Sequence, residues 1–133
     1  MPSKESLYYA DWFKKADEDL QPVQAHLAEG DIEDGAFHLQ QAVEKMLKGF
    51  LLRQGWGLKK IHNLEVLLDD AMKYETSLAE FRELTQQVTG YYLIERYPTF
   101  EQTPTQDEVI QAYRQAMLLA KRLRHAINQE IER

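Results

Sequence analysis

The sequence predicts an all-α protein, an elongated up-and-down antiparallel bundle of roughly four to five helices. Three observations carry this. Apolar residues recur at helical spacing along the whole chain, no stretch alternates at the strand period, and only six Gly and four Pro interrupt 133 residues. That length fits one domain, taken as residues 1–133 with a core of about 6–130.

The elements follow in order. Tyr9, Trp12, Phe13, Ala16, Leu20, Val23 and Leu27 share one stripe, which predicts a first helix over about 6–28, stopped by Gly30. A second helix is expected over about 32–54, with Ile32, Ala36, Leu39, Val43, Met46, Leu47 and Phe50 facing inward. Gly55-Trp56-Gly57 ends it, because glycine is costly in a helix interior. Asn63 can cap a short third helix bearing Leu64, Leu67, Leu68 and Met72. Ser77 is expected to cap a fourth, along which Phe81, Leu84, Val88, Tyr91 and Tyr92 align. Pro98 and Pro104 bracket a loop over about 97–104. Thr105 can then cap a last helix over about 106–131, with Val109, Ala112, Ala116, Ala120, Leu123 and Ile127 inside.

Composition excludes several classes of function. With no Cys there is no disulfide, thiolate zinc site or Cys nucleophile. A formal charge of −6 argues against RNA or other nucleic acid as a partner of the whole molecule. No apolar run is long enough for a membrane span. Met1 to Leu7 is polar and lacks the apolar core of a signal peptide, so a cytoplasmic domain is expected. No glycine-rich phosphate loop, metalloprotease helix motif or paired Glu-x-x-His set occurs, and the four His are scattered. Neither a cofactor nor a metal ligand is assigned on this basis.

Three groups of residues can carry chemistry. Gly35, Ala42 and Gly49 recur every seven residues and form a small-residue stripe on the second helix. Such a stripe lets another helix approach closely, from the same chain or from a second copy. It makes these three the candidates for the interface of a homodimer, the default small assembly. Beside it, His38, Gln41, Lys45 and Lys48 place an imidazole, an amide and two ammonium groups on one polar strip. That strip is either a solvated helix face or a site for a phosphate or an acidic partner. Lys59, Lys60 and His62 extend it; from Glu44 to His62 five cations stand against the single acid Glu44. The third group is Tyr91, Tyr92, Glu95, Arg96, Tyr97 and Pro98, in which Arg96 either serves as a structural salt bridge to Glu95 or a carbonyl cap, or acts with Tyr97 to grip an anion and stack on a base.

Taken together these blocks resemble the HEPN family (higher eukaryotes and prokaryotes nucleotide-binding domain). The run from Ala36 to Gly49, AFHLQQAVEKMLKG, is similar to that family's most characteristic block. It is followed by Lys60-Ile61-His62-Asn63-Leu64, by Leu67-Leu68, and by Tyr92-Leu93-Ile94-Glu95-Arg96-Tyr97-Pro98. Trp12-Phe13-Lys14-Lys15-Ala16 resembles the opening helix. The resemblance implies a helical bundle, usually dimeric, encoded beside a minimal nucleotidyltransferase in toxin–antitoxin or related systems. Some members are metal-independent ribonucleases that use an Arg and a His four to six residues apart on a late helix. No such spacing occurs here: Arg96 has no His in the next seven positions, Arg122 lies three before His125, and Arg114 eleven before it. No catalytic residue is therefore assigned. The expected function is a non-catalytic module that homodimerises and associates with a nucleotidyltransferase. The alternatives are a nucleotide- or phosphate-binding domain and a divergent ribonuclease using His38 or His62 with Arg96.

Overall fold

A computed structural model describes residues 8–93 and 103–132. Every regular element among them is helical. They are α1 (Tyr9–Leu20), α2 (Val23–Ala28), α3 (Ile32–Arg53), α4 (Leu64–Met72), α5 (Arg82–Val88) and α6 (Gln106–Glu132), with 3-10 turns at Thr76–Phe81 and Thr89–Leu93.

The expected first helix is two helices in succession. Pro22 has no N–H to continue the ladder, so the chain breaks at Gln21-Pro22 before α2 resumes. Gly30 ends α2 in the left-handed region at φ 82°, where Asp31 N–H reaches the His26 carbonyl and Gly30 N–H the Leu27 carbonyl. This is the Schellman arrangement, and Gly55 repeats it at the end of α3. There φ is 95°, with Trp56 N–H on Leu51 and Gly55 N–H on Leu52. Both glycines sit where a side chain would be strained. Asn63 caps α4 through its side-chain oxygen, which accepts from Glu65 and Val66 N–H. Thr105 accepts from Glu108 N–H at 3.1 Å and so caps α6. Ser77 caps nothing in this way; its hydroxyl donates to Glu75. The fourth helix is instead a 3-10 turn, α5 and a second 3-10 turn, in which Leu78, Phe81 and Leu84 are buried at a three-residue spacing that suits 3-10 geometry.

α3 is the central strut, in contact with α1, α2, α4, α5, α6 and the Thr89–Leu93 turn. The α1–α2 rod runs antiparallel to it, since Trp12 and Phe13 lie at Gly49 while Leu27 lies at Gly35. α6 runs parallel to α3: its start donates from Gln106 to the Leu27 carbonyl, and near its end Glu130 accepts from Gln54. α4 and α5 fold back on each other, with Leu64 N–H donating to Thr89 Oγ1 at 2.8 Å. The core runs along α3 through Leu39, Val43, Met46, Leu47, Phe50 and Leu51, and Trp56 packs half-buried against one end of it.

The small-residue stripe proves to be an internal feature. Gly35, Ala42 and Gly49 are all buried within the single chain. A Cβ at Gly49 would sit 3.1 Å from Trp12 Cβ and 3.2 Å from the Tyr9 carbonyl oxygen, and one at Gly35 would sit 3.2 Å from Leu27 Cδ2. The close approach that the stripe permits is that of α1 and α2, so these residues are not available as the interface of a homodimer. Gly49→Leu should therefore destabilise the monomer, by about 2 kcal/mol or more, because the new side chain meets α1 backbone that cannot turn aside. Urea unfolding of the variant beside the wild type checks this.

Candidate functional site

Helix α3 carries two polar ridges, and the structure turns them toward different neighbours. His38 and Lys45, two turns apart, face α1. There the Asp19 carboxylate receives both: His38 Nδ1 lies 3.1 Å from Oδ1, and Lys45 Nζ donates to Oδ2. A carboxylate only accepts, so this His38 nitrogen carries its proton. The His38 ring also stacks on His26 with centroids 5.4 Å apart and planes within 6°. His26 in turn faces Asp31.

The other ridge is buried. Glu44 and Lys48, one turn apart, form an ion pair at 3.1 Å with side chains only 8% and 5% exposed. Glu44 Oε1 also accepts from Gln40 Nε2 at 3.0 Å and lies 3.0 Å from His62 Nδ1. Gln41 supports Gln40 by donating to its carbonyl oxygen at 2.7 Å. Taking two charges out of water is costly, and the extra hydrogen bonds on Glu44 are what make the burial tolerable. His62 comes from the segment between α3 and α4; its side chain is half exposed and its ring lies 5.4 Å from that of Tyr92. Tyr91 is buried beside it in sequence, accepts from Gln87, and its phenol is pushed above the usual range by that burial.

The single polar strip expected on the second helix is thus two sites. Lys48 and Gln41 belong to the Glu44 network, and Lys48 is internal rather than solvated. His38 and Lys45 belong to Asp19. Lys59 and Lys60 are exposed, Lys59 standing 5.3 Å above the Trp56 ring. Arg96 and Tyr97 lie outside the described residues. Sequence reasoning missed Asp19 and Glu44, the two acids that organise everything else. Glu44 sits at i−4 from Lys48, a spacing that signals the pair, whereas Asp19 carries no local signal because its partners are on another helix. On α6, Arg122 reaches Glu80 and Arg124 reaches Asp17, so these two cations are also paired. A groove of about 370 Å³ lies between α1 and α6, lined by Tyr9, Phe13, Arg124 and Ile127, and contains none of these candidates.

Removing one partner of the buried pair leaves the other charge uncompensated. Glu44→Ala should cost about 3–5 kcal/mol, whereas Glu44→Met combined with Lys48→Met should cost less than the single change. Thermal unfolding of the two variants distinguishes them. Tyr91 gives a second expectation. Its folded-state pKa is raised, so folding favours the neutral phenol, and stability is unaffected below pH about 10 but falls as pH rises above it. Alkaline titration of tyrosinate absorbance should show one of the seven tyrosines ionising late.

Residues 9–126 match the family described as the HEPN domain. No curated protein sequence matches the chain. Among solved structures, the crystal structure of TT1696 from Thermus thermophilus superposes with a TM-score of 0.79 at 26% identity, covering 90% of this chain and 98% of that one. No helix among the described residues is long and apolar enough to cross a membrane.

Proposed function

Because this chain belongs to the HEPN family, we propose that it is a non-catalytic module that acts by association, as a homodimer and with a minimal nucleotidyltransferase in a toxin–antitoxin-like or related cytoplasmic system. One observation carries the reading: the groups on α3 that catalysis or phosphate binding would require are already neutralised inside the chain. Asp19 takes His38 and Lys45, and Glu44 takes Lys48 and His62. A ligand phosphate would have to displace a carboxylate from each of these groups, of which Lys48 is buried and His38 and Lys45 are partly buried. The absence of a ribonuclease-like Arg–His spacing supports the same reading. Since the small-residue stripe is covered by α1 and α2, the dimer contact belongs on another face.

The test is co-expression with the product of the adjacent gene. Co-elution of the two proteins, with light scattering of this chain alone near twice 15.6 kDa, is the expected result. A neighbour that is no nucleotidyltransferase, or two proteins that never associate, counts against it. A second reading, nucleotide binding at the segment after α3, rests on Lys59 and Lys60 being exposed beside Trp56. Calorimetric titration with ATP and GTP separates the two, and the association reading expects no heat.

A further inference from the structure

We propose that His26, Asp31 and Asp34 form a binding site for one divalent transition-metal cation of the zinc class at the corner between α2 and α3. One donor atom from each of these residues lies within 4.8 Å of the other two. His26 Nδ1 and Asp31 Oδ2 are 3.6 Å apart, too long for a hydrogen bond. It is close to the separation of about 3.4 Å that two ligands take around a tetrahedral ion with bonds of about 2.1 Å. Asp31 stands at the N-cap of α3, yet its side chain makes no capping hydrogen bond. Its carboxylate is instead beside His26, and Asp34 supplies the third corner.

His38 stands outside this set: Asp19 holds its Nδ1, and its ring stacks on that of His26 and braces the imidazole.

Charge independently favours a cation here. No Lys or Arg occurs between Lys15 and Lys45, and Glu29 and Glu33 flank Asp31 and Asp34 in sequence, whereas Asp17 and Asp19 are taken by Arg124 and Lys45. The partial positive charge at the start of α3, about half a unit, is outweighed by its acidic first turn. With imidazole and carboxylate donors and no thiolate, the site selects zinc, nickel or cobalt over copper(I) or iron–sulfur chemistry. The ion would tie the end of α2 to the start of α3 across the left-handed Gly30, a structural staple independent of the association proposed above.

The full chain, freed of any affinity tag and stripped with a chelator, is titrated calorimetrically with Zn²⁺. One ion per chain and a raised thermal midpoint are expected, with visible absorption bands from Co²⁺ bound to the same ligands. His26→Ala combined with Asp34→Asn should weaken binding about tenfold or more, and the near-isosteric Asp31→Asn, chosen to keep the fold, should weaken it as well. His125→Ala, on the exposed side of α6, should bind as the wild type does. No heat with the wild type, or undiminished binding in folded Asp31→Asn, overturns the proposal, as does binding lost only on changing His62 or His125.

Discussion

The backbone of α1 lies against α3 because position 49 has no side chain. Trp12, Phe13 and the Tyr9 carbonyl occupy the space where a Cβ would be, and at the other end Leu27 does the same over Gly35. This approach fixes the register of the α1–α2 rod along α3. The register in turn brings Asp19 within reach of His38 and Lys45, and His26 over His38. With a larger residue at 49 the rod would stand off, and those polar pairs would open together with the core.

Charge is handled differently on the two ridges of α3. The Asp19 cluster lies at the boundary with solvent, where ion pairs contribute little to stability but still set which groups are available to a ligand. The Glu44 cluster is internal, and there the physics is less forgiving. Each of its charges would be costly alone, so Gln40, Lys48 and His62 converge on one carboxylate. His62 couples this interior to the surface, since its ring is half exposed while one nitrogen holds Glu44. The stretch from Ala36 to Gly49 thus packs against α1 and α2 and pairs its charges within the chain.

Some of this is legible in the residues themselves. The stops at Gly30 and Gly55, the caps at Asn63 and Thr105 and the inward face of α6 follow from local rules: an unpaired carbonyl needs a left-handed glycine, and an unpaired N–H needs a short acceptor. The break at Pro22 is equally local, but the apolar stripe runs across it without interruption and masks it. The 3-10 turns around α5 are not legible, because hydrophobic spacing alone does not separate a three-residue from a 3.6-residue period over so short a segment.

The sequence by itself determined that the chain is helical, where most helices begin and end, and which family it belongs to, because all three depend on interactions within a few residues or on linear order. Only the tertiary structure decided what the polar and small residues of α3 do. Their partners are Asp19 on α1, His62 beyond α3 and the backbone of Tyr9, each far away in sequence. Periodicity shows which residues share a face but not which helix covers it, so a strip that reads as a solvated cationic surface became one buried network and one shielded cluster.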